Sequence, residues 1–381
     1  MSAPRIALIR QKYNPAGGAE RFVSRAIRAL VEQGADITLI TRKWEQKSLQ
    51  RVVQLTPWYL GSTWRDWGFS RAVCRHLQHT QYDLVQSHER LACCDVFRAG
   101  DGVHREWLTQ RARALTPLKR LAMYGNPRHA YMLHAERQMF ESPRLRAVIC
   151  NSRMVKEELV RHYGLRQDQL VVVYNGIDLE EFSPRLQKRW RSTQRQALGI
   201  AQETLTLLHV GSGFERKGVG TILRAMARAS VACHLIVVGG DKREGRYKSL
   251  AGELGIASRV HFAGVQQDPR RYYAAADAFV MASLYEPFAN ASMEALAMGL
   301  PVVTSTKSGA AEILEQGKTG YVCDALDIGG FSSAINALAN RERRLVMGEA
   351  ARVLAESFSV DAMTAQLLNL YQRLLVDSST Y

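Results

Sequence analysis

Glu286 and Glu294, separated by seven residues in Tyr285-Glu-Pro-Phe-Ala-Asn-Ala-Ser-Met-Glu294, are the pair of side chains best placed to do chemistry. An ionised carboxylate only accepts hydrogen bonds and can take two neighbouring hydroxyls of a ribose or hexose, so the pair suits polyol recognition. A glutamate early in a helix also offsets the helix dipole, and spacing alone leaves both uses open. The backbone of Phe288, Ala289 and Asn290 begins the helix between them, where free N–H groups suit sugar or phosphate oxygens. Arg216 and Lys217, in Gly211-Ser-Gly-Phe-Glu-Arg-Lys-Gly218, are two fixed cations matched to a pyrophosphate, or else a solvated basic turn. Gly218 and Val219 follow Lys217 where a P-loop needs Ser or Thr, which disfavours nucleotide hydrolysis of that type. Gly17 and Gly18, in Asn14-Pro-Ala-Gly-Gly-Ala-Glu20, allow a backbone to approach a phosphate closely, and equally make an ordinary turn. Asp101 and His104, in Ala99-Gly-Asp-Gly-Val-His104, end an expected strand; either a catalytic role or simple helix capping by the aspartate fits them.

These residues need a frame that brings loop ends together. Strand-like runs at Ile6–Ile9, Ile37–Thr41, Leu84–Ser87, Val96–Ala99, Ala147–Cys150 and Leu170–Val173 alternate with helical patterns, among them Ala19–Glu32. A second series runs through Leu205–Val210, Leu235–Val238, Val260–Phe262, Ala278–Ala282 and Pro301–Thr304. Alternation of this kind predicts α/β architecture with two parallel, doubly wound sheets. Residues 1–184 form the expected first domain, with a basic helical insertion near 104–141. Residues 185–202 read as a linker and 203–357 as the second domain; 358–381 reads as a terminal helix packing back on the first. Every candidate then lies at the end of a strand or the start of the helix after it.

The chain has 381 residues and a formal charge of +15. Residues 1–200 hold 33 basic and 18 acidic groups, and residues 201–381 hold 18 of each, so the whole excess sits in the first half. A basic half admits nucleic acid, anionic lipid or an anionic substrate; no nucleic-acid module is visible. Between His104 and Arg146, nine Lys and Arg are interleaved with Trp107, Leu118, Leu121 and Tyr124, which suits an anionic membrane surface or a solvated helical face. No apolar run approaches the 18 to 20 residues, roughly, that span a bilayer. Arg5–Arg10 reads as a strand rather than a signal peptide, and the six scattered cysteines as reduced thiols, so a cytoplasmic location is expected.

The spaced glutamates followed by Ala-Leu-Ala-Met-Gly-Leu-Pro-Val, the phrase Val173-Tyr-Asn-Gly-Ile-Asp178, the Arg-Lys-Gly turn and the early Gly-Gly-Ala-Glu-Arg together resemble family 4 retaining glycosyltransferases. Within that family the likeness runs to the lipopolysaccharide core glucosyltransferase I type. The resemblance implies the GT-B fold, two Rossmann-like domains facing across a cleft. It implies that Glu294 holds the donor ribose, that Glu286 and the backbone of Phe288, Ala289 and Asn290 hold the transferred sugar, and that Arg216 and Lys217 neutralise the pyrophosphate, with Gly17 and Gly18 closing on it. Asp101 falls near where relatives position a residue against the sugar, and His104 follows at the start of the basic helices. Many members carry glycine where this chain has Ala289, which puts the hexose in question.

The same resemblance implies a metal-independent, retaining transfer of a hexose, glucose from UDP-glucose, to a lipopolysaccharide core heptose or similar lipid-linked acceptor. No cofactor and no divalent ion are expected, since Arg216, Lys217 and helix N-termini supply the charge stabilisation. Expected partners are the UDP-sugar, the saccharide acceptor and an anionic membrane, with no nucleic acid; the enzyme would lie on the inner face of the cytoplasmic membrane. A nucleotide-sugar epimerase of the same fold, or a membrane-surface protein without catalysis, are the alternatives.

Overall fold

The computed structural model describes residues 3–12, 31, 34–43 and 51–378. The chain forms two compact units, Met1–Asn175 with Asp361–Tyr381, and Gly176–Val360.

The first unit is built on seven parallel strands: β1 (Arg5–Ile9), β2 (Asp36–Thr41), β3 (Arg51–Gln54), β4 (Leu84–Ser87), β5 (Val96–Ala99), β6 (Ala147–Cys150) and β7 (Leu170–Val172). Their spatial order is β3-β2-β1-β4-β5-β6-β7. β1 lies between β2 and β4, with Ile9 opposite both Ile40 and Ser87. Winding reverses there, and the carboxyl ends of strands at such a reversal are where open α/β sheets bind ligands. Side chains alternate across the sheet. Ala7 and Ile9 face a core with Phe69, Val73, Val155 and Leu159, supplied by α1 (Gly61–His79) and a later helix at Arg153–Tyr163. Ile6 and Leu8 face the opposite core with Met363, Leu367, Leu370, Tyr371 and Leu374. Those five lie at helical spacing on the terminal helix Val360–Ser378 and form one apolar stripe.

Between β5 and β6 the chain folds into α2 (His104–Arg113), α3 (Pro117–Tyr124) and α4 (Pro127–Phe140). Proline stands at the start of α3 and of α4, where its missing N–H costs no intrahelical bond. α5 is Arg153–Tyr163, closed by Gly164 in the left-handed conformation at φ 65°.

The second unit holds six parallel strands: β8 (Leu205–Val210), β9 (Cys233–Val238), β10 (Val260–Gly264), β11 (Ala278–Met281), β12 (Val302–Ser305) and β13 (Gly320–Cys323), in the order β10-β9-β8-β11-β12-β13. Its reversal lies between β8 and β11, where Leu208 pairs with Phe279. The helices are α6 (Arg185–Ala197), α7 (Val219–Arg228), α8 (Glu244–Glu253), α9 (Arg270–Ala275), α10 (Asn290–Ala297), α11 (Ile328–Ala337) and α12 (Arg341–Glu356).

Three expectations change. Most of the segment read as a linker, residues 185–202, is the helix α6, anchored by Arg195, whose guanidinium is fully buried and bonds to the carbonyls of Ala275, Ala201, Gln202 and Thr204. Its density of polar residues hid a helix held by one arginine. The cysteines are not all reduced: Cys74 on α1 and Cys93 before β5 are joined in a disulfide with Cα atoms 5.7 Å apart. Nothing in their spacing signals this, because packing of α1 on the sheet brings them together. Two strands, β3 and β13, were not expected; β3 is an edge strand of mostly exposed residues, without the apolar run that marks a buried strand.

Candidate active site

In the second unit, the loop after β8 and the chain after β11 meet at the reversal of the sheet. Gly218 begins α7 with φ 71°, and a Cβ there would stand 1.9 Å from the carbonyl oxygen of Ala282. Only glycine lets the Arg-Lys-Gly turn come this close to the end of β11. The turn is braced from β9, since Asp241 accepts a hydrogen bond from the Phe214 N–H at 2.7 Å.

This close approach brings Arg216 and Lys217 onto Glu286. Arg216 Nη1 donates to Glu286 Oε2 at 2.8 Å, and Lys217 Nζ donates to the same oxygen. Lys217 and Glu286 are 8% and 9% exposed. Burial alone would raise the carboxyl of Glu286, but Lys217 and Arg216 outweigh it and hold the group below the usual carboxylate range. Both cations use Oε2, and no hydrogen bond occupies Oε1 among the described residues. The Glu286 backbone is fixed to the loop after β12, its N–H donating to Lys307 O and its carbonyl accepting from Gly309 N–H, each at 2.8 Å.

Glu294 lies in the middle of α10, 3% exposed, and accepts from the Tyr273 hydroxyl at 2.9 Å. Tyr273 comes from α9 and also bonds to Ala291 O, so it ties the carboxylate to the first turn of its own helix. Ala289 precedes that helix with φ −77°, a value any residue adopts, so its Cβ is accommodated without strain. The Ser292 N–H bonds back to Ala289 O at 3.1 Å, and the start of α10 at Asn290 is the positive end of its helix dipole, which favours an anion. The structure thus brings together Arg216, Lys217, Glu286, Phe288, Ala289, Asn290 and Glu294 on the loops and helix around one sheet reversal. Sequence reasoning missed the buried polar atoms beside them: Ser283 Oγ, Ser292 Oγ, Ser308 Oγ and His209 Nε2 have no hydrogen-bond partner among the described residues.

In the first unit, Asp101 is exposed just beyond β5. It does not cap α2, whose N-cap is Val103 and carries no side-chain cap; the His104 N–H is met instead by Glu136 from α4, at 2.9 and 3.1 Å to its two oxygens. Glu136 is 1% exposed and also accepts from Arg90 Nε at 2.9 Å and Tyr163 Oη at 2.7 Å. His104 Nε2 lies 3.1 Å from His129 Nδ1. Burial, with Arg90, His129 and Arg128 nearby, pushes the His104 imidazole down to about 3, so the ring is neutral at pH 7. Glu89, after β4, accepts from the Gln11 N–H at 3.0 Å; burial raises its carboxyl, and the charge of Asp101 adds to the effect. Glu89, Arg90 and Glu136 carried no recognisable motif. Gly17 and Gly18 lie outside the described residues.

The chain matches the sequence model of group 1 glycosyl transferases over residues 191–354 and that of glycosyltransferase family 4 over residues 16–181. It is 27% identical to the lipopolysaccharide core biosynthesis glycosyltransferase LpsE of Rhizobium meliloti (strain 1021), covering 93% of this chain and 95% of that one. It is 26% identical to the lipopolysaccharide glucosyltransferase WaaG of Escherichia coli (strain K12), over 83% of this chain and 84% of the relative. A D-inositol 3-phosphate glycosyltransferase of Mycobacterium sp. (strain KMS) is 31% identical over 81% of this chain and 70% of its own length. The crystal structure of WaaG, a glycosyltransferase involved in lipopolysaccharide biosynthesis, shares the fold with a TM-score of 0.82 at 24% identity, covering 96% of this chain and 99% of that one. That of Anabaena HepE in complex with UDP-glucose does so with a TM-score of 0.76 at 20% identity, covering 97% and 100%. With both sheets matched in turn and similarity running through nearly the whole length, this chain belongs to the glycosyltransferases of the GT-B fold, family 4 in its first part and group 1 in its second.

Proposed function

We propose that this glycosyltransferase moves a hexose, glucose from UDP-glucose, with retention and without a divalent ion, onto a lipopolysaccharide core heptose or similar membrane-associated saccharide. The observation that carries the reading is the convergence of Arg216 and Lys217 on one oxygen of Glu286, with Oε1 left for a ligand. A donor pyrophosphate next to the two cations would receive the charge stabilisation that a metal supplies elsewhere. Glu286 Oε1 and the first turn of α10 would hold hexose hydroxyls, and Glu294 the ribose. The anomeric carbon breaks its bond to the diphosphate oxygen as the acceptor oxygen bonds on the same face, and the departing phosphate takes the acceptor proton. In the first unit, Asp101 and His104 are proposed to face the sugar, Asp101 as an acceptor of its hydroxyls and His104 as a neutral ring.

The enzyme is proposed to work on the inner face of the cytoplasmic membrane. On α3, Leu118 and Leu121 are 78% and 72% exposed, beside exposed Lys119 and Arg120. A second exposed cluster, Trp58, Leu60, Trp64 and Trp67, surrounds the start of α1. Apolar and aromatic side chains mixed with basic ones suit an anionic lipid interface. Among the described residues no helix is long and apolar enough to cross a membrane.

The test is incubation with a panel of UDP- and GDP-hexoses and truncated lipopolysaccharide core in EDTA, with products read by mass spectrometry. The expected product gains one hexose only with UDP-glucose. Transfer abolished by EDTA, or donor consumed without an acceptor, would overturn the proposal.

A further inference from the structure

The second unit has a cavity of about 610 Å³ away from the strand ends that carry Glu286. It opens at the amino ends of the strands, against Glu203 before β8, Ala276 and Asp277 before β11, and Met298 to Leu300 before β12. The donor-side residues follow the carboxyl ends of β8 and β11, so the two places are at opposite ends of the strands of one sheet. α10 runs between them: its first turns hold Glu294, and its last carbonyls accept from residues lining the cavity, Ala297 O from Arg352 Nη1 at 2.9 Å and Met298 O from Gln187 Nε2 at 3.1 Å.

Four guanidiniums, those of Arg191, Arg341, Arg344 and Arg352, line the cavity against three carboxylates. One of the three is already saturated, because Asp277 receives Arg191 at 2.6 Å on Oδ1 and, on Oδ2, the buried Arg195 and the Thr206 N–H, each at 2.8 Å. Arg341 meets Glu203 only at 3.4 Å, with both side chains more than two-thirds exposed, a contact that neutralises little. Arg344 spends Nη1 on the carbonyls of Leu338 and Ala339, at 2.6 and 2.9 Å, and its Nε and Nη2 have no partner among the described residues. Burial holds Arg344 below the usual guanidinium range; Asp277 opposes that, while Arg191 and Arg341 reinforce it by repulsion. An assembled cluster of cations with spare donors is relieved by an anion with several oxygens. Glu349 and Gln202 on the same walls are suited to hydroxyls, and Met298 and Leu300 make an apolar floor. The volume falls within the 300 to 1,000 Å³, roughly, of small-molecule sites.

We infer that this cavity is a second ligand site, distinct from the donor site, which takes a phosphorylated sugar: phosphate on Arg341 and Arg344, hydroxyls on Glu349 and Gln202. The site does not depend on the reading of the donor half. The test is calorimetric titration of the full chain with glucose 6-phosphate, glucose 1-phosphate, inorganic phosphate and unphosphorylated glucose, in wild type, Arg341→Gln, Arg344→Gln and Lys217→Ala. A sugar phosphate should bind the wild type and Lys217→Ala alike and at least tenfold more weakly in both arginine variants, with inorganic phosphate weaker and glucose absent. Arg341 is exposed, so its variant retains the fold and keeps the test valid if Arg344→Gln unfolds. Absence of sugar-phosphate binding by the wild type, binding lost in Lys217→Ala, or binding untouched by Arg341→Gln would each overturn the inference.

Discussion

Replacing Glu286 by glutamine keeps the shape of the side chain and removes the charge that two cations share. Arg216 is more than a third exposed and screened by solvent, so the energetic weight falls on Lys217, which is 8% exposed. Stranding one member of a buried ion pair costs about 3 to 5 kcal/mol. For a unit of this size each kcal/mol lowers the unfolding temperature by about 2 to 4 °C, so Glu286→Gln should melt about 6 to 20 °C below wild type by scanning calorimetry. The deficit has a defined pH dependence. Glu286 titrates below its ordinary value in the fold, so its contribution is complete above the unfolded carboxyl pKa of about 4.3 and is lost as pH falls through the folded value. The deficit should therefore be constant from about pH 6 to 9 and shrink in acid, where the wild type loses the same charge. A pyrophosphate presents its own negative charge to Arg216 and Lys217, so saturating UDP should raise the melting temperature of the variant more than that of wild type. UDP should bind the variant at least as tightly, while transfer falls because the amide oxygen stays with the cations and an NH2 donor replaces the sugar-facing acceptor. A melting temperature within about 2 °C of wild type, or loss of UDP binding, would refute this assignment of the three residues.

Glu294→Ala should weaken UDP binding on the order of 100-fold, from two charge-assisted hydrogen bonds at about 1.5 kcal/mol each, whereas Tyr273→Phe, which only frees the carboxylate from its anchor, should cost less; calorimetry that finds UDP binding unchanged in Glu294→Ala would exclude the ribose role. Removing both charges in Lys119→Ala with Arg120→Ala should reduce co-sedimentation with anionic vesicles by about 30-fold, at about 1 kcal/mol per charge, without changing transfer to a soluble acceptor. His104 is held down to about 3 in the fold, against an unfolded value of about 6.5, so the folded chain binds fewer protons between those values and stability rises with pH across that window. His104→Gln should flatten that rise, and an unchanged slope in chemical denaturation from pH 4 to 7 would show that the ring is not buried as described.

The strands most readily read from sequence are those buried on both faces, such as Leu84–Ser87, Val96–Ala99 and Ala147–Cys150, because a parallel sheet demands an unbroken buried run. Where that pressure is relaxed the signal fails: β3 is exposed, and α6 is mostly polar, with only Leu186 and Trp190 as large apolar residues and Arg195 buried beneath it. The residues of the proposed donor site stand out in the sequence because they are local, two glutamates within one strand-loop-helix passage and two cations beside a glycine. The pairing of those cations with Glu286 crosses 69 and 70 residues and could be seen only in the fold. The first unit's cluster was illegible for the same reason. Glu136 reaches His104 across 32 residues and Tyr163 across 27, and Cys74 meets Cys93 from a different element. The early glycines Gly17 and Gly18 fall outside the described residues.

Retaining transfer without a metal is tested most directly by proton NMR of the product formed from UDP-glucose and truncated lipopolysaccharide core in EDTA. An α-linked glucose, with one UDP released per sugar transferred, is the expected result. A β-linked product, or no product until a divalent ion is restored, would contradict it.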